Sequence, residues 1–185
     1  MSIRSAIDDM SLLRCGIPAI WNKLAPLKVR LCFWRARLCR LPTKDNLVKR
    51  GLNISDDTCV LCKESCETED QIFTTCRKAI EVRRAVNVWA RLLPTQCTKV
   101  MEIDDEVSTS DQAKGVRVLK QVTGQACVWN SWNGHNDAIF KNKEFNPLRT
   151  AIDIQASVFE FFGSRREGVG VVVSIGINGV VTPLL

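Results

Sequence analysis

Three cysteines in the middle of the chain have the type and spacing of metal ligands. Cys59 and Cys62 form a Cys-x2-Cys pair, and Cys76 ends the segment ETEDQIFTTC that follows. A Cys-x2-Cys turn supplies two corners of a zinc tetrahedron, because the backbone N–H groups between the thiolates fold back toward the sulfur atoms. No histidine occupies a position suited to a fourth ligand. The spacing predicts three zinc ligands and leaves the fourth open.

The remaining sequence favours reduced thiols in an intracellular protein, nuclear or cytoplasmic. The chain has 9 cysteines, an odd number, and the opening MSIRSAIDDM lacks the apolar core of a signal peptide. In a reducing compartment, clustered cysteines indicate metal binding rather than disulfides. The apolar run from Gly168 contains Asn178, Pro183 and several glycines, which argue against a membrane-spanning helix. We expect no membrane association.

Positive charge is concentrated in the first part of the chain. Residues 1–100 hold 18 Lys or Arg against 10 Asp or Glu, whereas residues 101–185 hold 8 against 10. Five cations flank the first predicted helix: Lys28, Arg30, Arg35, Arg37 and Arg40. They predict contact with the phosphates of RNA or DNA. The alternative is a solvated basic face whose long side-chain stems cover the edge of the core.

The periodicity of the apolar residues predicts several helices. One stripe with spacings of three and four predicts a helix that starts near Pro26 and faces the core; its members are Ile20, Leu24, Leu27, Leu31, Trp34, Leu38 and Leu41. The segment LPTKDNLVKRG predicts a short second helix, with Thr43 as its cap and Gly51 as its end.

Further helices are predicted downstream, followed by a hairpin. One helix follows Cys76 and ends before Pro94, a long one starts near Asp111, and another covers about 152–162. The long helix has these candidate core residues: Val118, Val122, Cys127, Val128, Trp129, Trp132, Ile139 and Phe140. In the tail, Asn178–Gly179 lies between apolar runs and predicts a tight β-hairpin. The predicted fold is mainly α: a small helical domain with a knuckle loop, a helical extension and a short C-terminal β-hairpin.

A series of ordered landmarks resembles the zinc-binding domain of reverse transcriptases from plant non-LTR, LINE-like retrotransposons. That family reads tryptophan, PxKV, an aromatic pair, LPT, L, RG, CxxC, ET, HLF and a final cysteine. The matching residues are Trp21, Pro26, Lys28, Val29, Phe33, Trp34, Leu41, Pro42, Thr43, Leu47, Arg50, Gly51, Cys59, Cys62, Glu67, Thr68 and Cys76. The resemblance covers about residues 19–92.

The resemblance implies a division of the chain into five parts. These are an N-terminal segment 1–18, the zinc-binding-like domain 19–93, a linker 94–110, the helical extension 111–163 and the hairpin 164–185. The tail GVGVVVSIGINGVV resembles the opening hairpin of an RNase H domain, but Ser174 and Ile175 replace the arginine and aspartate of that pattern. We expect a truncated RNase H-like remnant without nuclease activity.

The chain departs from the family at the expected metal ligand. Gln71 occupies the position of the histidine in HLFxxC, and a neutral amide is a poor zinc ligand. Cys66 either supplies the fourth thiolate, giving the ligand set Cys59, Cys62, Cys66 and Cys76, or the site is degraded and the loop is held by packing of Ile72 and Phe73. The single histidine, His135, is expected on the surface of the long helix.

The sequence does not predict an enzyme or a small-molecule substrate. The aspartate pairs Asp8 with Asp9 and Asp104 with Asp105 do not lie in a hairpin between apolar strands, as a reverse-transcriptase metal pair would. The resemblance implies a non-catalytic zinc-binding module that binds nucleic acid and derives from a retrotransposon polyprotein. The alternative is a decayed retroelement relic with a structural role and no retained binding.

Overall fold

Five α-helices and one π-helical turn make up the computed structural model, which describes residues 23–92, 97–103 and 114–163. The elements are α1 (Leu27–Arg37), α2 (Lys44–Lys49), the π-helical turn (Gln71–Thr75), α3 (Arg77–Ala90), α4 (Lys114–Phe140) and α5 (Pro147–Gly163). In these residues, β pairing is limited to an isolated bridge between Thr58 and Cys66. The prediction of a mainly α fold is confirmed. The predicted N-terminal segment and C-terminal hairpin lie outside the described residues.

The ends of α1 and α2 follow the local signals in the sequence. Pro26 precedes α1, and its carbonyl accepts hydrogen bonds from the first turn of the helix. Thr43 caps α2, since its hydroxyl accepts a hydrogen bond from the backbone N–H of Asn46 at 3.5 Å. Gly51, just beyond α2, has φ +88°, a conformation that glycine adopts without steric cost. Both predicted helix starts are confirmed.

Helix α1 buries a different face from the predicted one. Leu27 is 57% exposed and Leu31 is 39% exposed, so the prediction that the leucine stripe faces the core is wrong at both positions. The buried face consists of Val29, Cys32, Phe33 and Ala36. This face packs on α4, and its small side chains allow the two helices to approach closely.

The main core lies between α3, α4 and α5. Helix α5 packs against both of the others, and the shared core includes Val82, Val86, Val122, Ala126, Ile154 and Val158. Ile139 and Phe140, which were predicted in the core, are exposed at the end of α4 and were placed wrongly. None of the described helices combines the length and the apolar character that crossing a membrane would require.

Two close approaches to α4 require glycine. A Cβ on Gly134 would lie 2.6 Å from the ring of Phe145, and a Cβ on Gly124 would lie 2.7 Å from the side chain of Ile103. Both distances are too short for carbon atoms in contact. The glycines therefore let the chain before α5 and the segment around Ile103 pack directly on α4, although each lowers the intrinsic helix propensity.

Part of the predicted linker is packed against the knuckle region. Cys97 and Val100 are buried. The backbone N–H of Val100 donates to the Asp70 carboxylate at 2.8 Å, and the Thr74 hydroxyl donates to the Thr98 carbonyl at 2.7 Å. Residues 97–103 thus pack beside the π-helical turn that leads to Cys76.

Candidate metal centre

The structure brings together the three cysteines that the sequence predicted as ligands. The sulfur atoms of Cys59, Cys62 and Cys76 all lie within 4.8 Å of one another. Tetrahedral zinc with Zn–S bonds of about 2.3 Å separates its sulfurs by about 3.8 Å. The thiols therefore need to close by at most about 1 Å to hold an ion of this size.

Local backbone structure sets the position of each sulfur. The turn after Cys59 closes through a hydrogen bond from the Lys63 N–H to the Cys59 carbonyl at 2.8 Å, and Lys63 has φ +57°. Cys76 is the residue before α3, so the N–H groups of Lys78 and Ala79 point toward its sulfur. The Cys-x2-Cys turn and a helix start therefore face each other.

A hydrogen bond joins the thiols of Cys59 and Cys76, and the proton of Cys76 lies between the two sulfurs. A hydrogen bond from Cys76 lowers the pKa of Cys59 to about 5, against the effect of burial and with help from the N–H groups of Cys62 and Leu61. The same hydrogen bond, together with burial, raises the pKa of Cys76. Metal binding requires deprotonated thiols, so an ion would take the place of this proton.

Gln71 lies next to the three clustered sulfurs. The hydrogen bond from the Cys76 N–H to the Gln71 carbonyl, 2.7 Å long, closes the π-helical turn and brings residue 71 back beside the sulfurs. The Gln71 Nε2 donates to the Cys62 sulfur at 3.3 Å, whereas its Oε1 is buried without a hydrogen-bond partner in the described structure. The donor set fits zinc with three thiolates and a weak neutral group.

Cys66, the proposed fourth thiolate, lies outside the group of three. It is exposed, forms the β-bridge with Thr58, and faces Asp57, whose hydrogen bond and charge raise the pKa of the Cys66 thiol. Its place in the loop is at the base of the turn that carries Cys59 and Cys62. The structure therefore brings together three of the four predicted ligands and does not bring Cys66 to them.

His135 is buried, which corrects the prediction of a surface histidine. It is 1% exposed and stacks on Trp132 with 4.9 Å between ring centroids. Its Nε2 lies 2.9 Å from Oε2 of Glu67, which is also fully buried. Burial disfavours the Glu67 carboxylate, but the contact with His135 and two backbone N–H groups outweigh this effect and lower the pKa of Glu67.

Glu67 connects three parts of the structure. Its Oε1 accepts from the Lys44 N–H at the start of α2, at 3.1 Å, and its Oε2 accepts from the Val60 N–H inside the knuckle turn, at 3.4 Å. His135 brings α4 to the same carboxylate. The sequence reasoning missed this pair, although Glu67 is one of the landmark residues and a buried carboxylate requires partners.

A second buried carboxylate, Glu69, stabilises the segment before α2. It accepts hydrogen bonds from the Leu41 N–H at 3.2 Å, the Thr43 hydroxyl at 3.4 Å and the Asn46 amide. Burial nevertheless raises the pKa of Glu69. Both carboxylates hold the knuckle loop against the helical body without touching the sulfurs.

Solvent reaches the cysteine cluster through a groove. The groove has a volume of about 390 Å³ and includes Cys62 and Cys76 in its wall, with Arg77 and Arg84 beside them. Arg77 pairs with Glu64 at 3.2 Å. The centre is therefore accessible for metal loading and exchange.

The five predicted nucleic-acid contacts divide into surface and interior residues. Lys28 and Arg35 are exposed, and the Lys28 ammonium lies 5.5 Å from the ring centroid of Trp129. Arg30 and Arg40 are half-buried. Arg37 is 5% exposed and lies beside the ring of Phe33, so it is not part of the exposed face of α1.

Comparison with known proteins supports the family resemblance for the first part of the chain. No curated protein and no solved structure shows a significant match. Residues 9–83 match the family model described as zinc-binding in reverse transcriptase. This segment includes all three clustered cysteines and ends within α3, so the family match covers the part of the chain in which the thiols converge.

Proposed function

We propose that this chain is a non-catalytic zinc-binding module that binds nucleic acid and derives from a reverse-transcriptase polyprotein of the LINE type. The observation that carries the proposal is the convergence of three thiols within 4.8 Å in the segment that matches the zinc-binding family. Zinc would supply a structural cross-link between the Cys59–Cys62 turn and the start of α3. Structural zinc typically contributes about 10 kcal/mol or more to folding.

The nucleic-acid part of the proposal rests on α1. Lys28 and Arg35 lie seven residues apart, which places them two turns apart on one exposed face. Leu31 lies between them, and the half-buried Arg30 and Arg40 lie on α1 and just after its end. Such a row of cations suits the phosphates of a single strand. The metal centre would act indirectly, by fixing the loop that packs beneath α1.

The alternative is a decayed relic with a structural role. Gln71 favours it, because a neutral amide replaces the histidine that the family uses. In that case the basic face would be solvated and would bind no partner. The two proposals differ in measurable ways.

The test is salt-dependent binding of single-stranded RNA by the reduced, zinc-loaded full chain. Fluorescence anisotropy should show an affinity that falls with salt, with a log–log slope of roughly −0.7 for each phosphate neutralised. The double variant Lys28→Gln and Arg35→Gln should bind more weakly with a shallower slope. Lys49→Gln is the control, because Lys49 is exposed on α2 and pairs with Asp45.

Equal binding by the parent chain and the double variant would contradict a role for α1. Absence of salt-dependent binding in the zinc-loaded chain would favour the relic. Metal content is measured on the same samples, so that loss of zinc is not mistaken for loss of the basic face.

A further inference from the structure

Unsatisfied polar groups also line a cavity that does not include the clustered cysteines Cys59, Cys62 and Cys76. The cavity has a volume of about 70 Å³ and lies between α3 and α4, beside residues 97–103. Since one water needs roughly 10–15 Å³, several waters or one small polar group fit inside. Its wall includes Arg83, Lys120, Thr123 and Ser131, together with the apolar side chains of Phe73 and Val128.

The charge of the cavity is positive. Among the described residues that line it, Arg83 and Lys120 are cations, and no carboxylate is present. The terminal nitrogens of Arg83 donate to the Thr74 carbonyl and to the Cys97 sulfur. These contacts hold the guanidinium in place. Its Nε is buried and has no hydrogen-bond partner in the described structure.

Thr123 supplies an independent sign of a missing ligand. Its side chain is 3% exposed, and its hydroxyl has no partner among the described residues. Buried hydroxyls in native proteins almost always have a partner, and helical threonines usually find one in the preceding turn. Two unpartnered donors, Thr123 Oγ1 and Arg83 Nε, therefore lie at the wall of one positively charged cavity.

We propose that this cavity binds a phosphate group. Guanidinium and ammonium groups with hydroxyl donors are the groups that recognise phosphate oxygens, and the apolar part of the wall lowers the local dielectric and strengthens these contacts. The phosphate comes either from free inorganic phosphate or from the terminal phosphate of an oligonucleotide. The proposal does not depend on the cysteine centre or on the basic face of α1.

The decisive variant is Thr123→Val, which keeps the shape of the side chain and removes the hydroxyl. Because this hydroxyl has no partner in the described structure, the variant should fold as well as the parent chain. Inorganic phosphate is titrated into the zinc-loaded full chain at low salt and followed by calorimetry and 31P NMR. The parent should bind one equivalent, and Thr123→Val should bind it about tenfold or more weakly.

Two further variants refine the assignment. Lys120→Gln should weaken phosphate binding by a similar factor, since it removes a charge-assisted contact. Thr150→Val is the matched control, because Thr150 is a buried threonine on α5 that already donates to the Asn146 carbonyl at 2.9 Å. It should leave phosphate binding unchanged.

The source of the phosphate is tested with short RNA strands that carry a 5′-phosphate or a 5′-hydroxyl. A Thr123-dependent preference for the phosphorylated strand would support a nucleic-acid terminus as the ligand, and equal binding of the two strands with retained binding of inorganic phosphate would support the free anion. The proposal is overturned if the parent chain binds no equivalent of phosphate, or if Thr123→Val binds it as tightly as the parent.

Discussion

Two polar clusters border the same loop, and their polar atoms find partners in different ways. On one side, Glu67 and Glu69 are buried carboxylates. Their oxygens accept hydrogen bonds from backbone N–H groups, and Glu67 also contacts His135. On the other side, three thiols converge beside Gln71, whose Oε1 has no partner in the described structure. The carboxylate oxygens find their partners within the protein, although Nδ1 of the neighbouring His135 has none in the described structure, whereas the Gln71 oxygen beside the sulfurs has none at all.

Whether a buried polar group has a partner within the protein distinguishes groups that stabilise the fold from candidate ligand-binding groups. A buried polar group is stable when the protein supplies its partners, and an unsatisfied one marks either strain or a missing atom. The carboxylates therefore serve the fold, since they tie the knuckle to α2 and α4. The unsatisfied groups are Gln71 Oε1, which lies beside the thiols of the proposed metal centre, and the Arg83 and Thr123 donors at the cavity.

The largest expected effect comes from removing a sulfur. Cys59→Ser should lose bound zinc and most of the stability that metal provides, about 10 kcal/mol in small structural zinc sites. Metal analysis of the purified protein and thermal unfolding with and without chelator measure both effects. The parent chain should hold one equivalent of zinc and unfold at a lower temperature after chelation.

Cys66→Ser is the matched control for the sulfur side. Cys66 is exposed and lies outside the group of three thiols, so the variant should keep its zinc. Loss of zinc in Cys66→Ser would show that the loop rearranges on metal binding and recruits Cys66. Retention of zinc in Cys59→Ser would contradict the proposed centre altogether.

The next largest effect distinguishes the two carboxylates. In Glu67→Gln, the NH2 group of the new amide would face a donor in either orientation. In one orientation it would face the Lys44 N–H, and in the other the Val60 N–H and His135. Leaving these buried donors without an acceptor costs roughly 1–3 kcal/mol for each group. Urea unfolding of the zinc-loaded chain measures this loss.

Glu69→Gln should cost much less, within about 1 kcal/mol. Its remaining oxygen would accept from Leu41 and Asn46, while the new amide would donate to the Thr43 hydroxyl. The substitution also removes a buried charge. Equal destabilisation by the two variants would mean that His135 adds nothing to the carboxylate side.

The features that sequence predicted well depend on local spacing. Cys59 and Cys62 occur in one turn, Thr43 and Gly51 bound one short helix, and such signals act over a few residues. Helices α1, α3 and α4 were predicted from the spacing of apolar residues, and α2 from its Thr43 cap and Gly51 end. The described residues do not test the predicted hairpin.

The features that sequence missed depend on which surfaces meet. In α1 both the leucine stripe and the face with Val29 and Ala36 have helical periodicity, and the choice is made by the packing partner α4. Arg37 becomes buried for the same reason. The contact between Glu67 and His135 joins residues far apart in the chain, so local spacing carries no information about it.

A substitution at Gln71 tests whether the protein itself can supply the fourth zinc ligand. Gln71→His would place an imidazole nitrogen beside the three thiols, in the position of the Gln71 amide that now donates to Cys62. Imidazole is a far better zinc ligand than a neutral amide, and even outer partners of a metal change its affinity by about tenfold or more. Zinc affinity, measured by competition with a chelator, should therefore rise by at least about tenfold, with a changed Co²⁺ absorption spectrum.

Gln71→Ala is the companion variant, because it removes the amide without offering a new donor. If Gln71 takes part in coordinating the zinc ion, zinc should bind more weakly to this variant than to the parent chain. Identical affinities for the alanine, glutamine and histidine forms would place residue 71 outside the coordination sphere. The three thiolates would then hold the metal with a solvent ligand that enters from the groove beside Cys62 and Cys76.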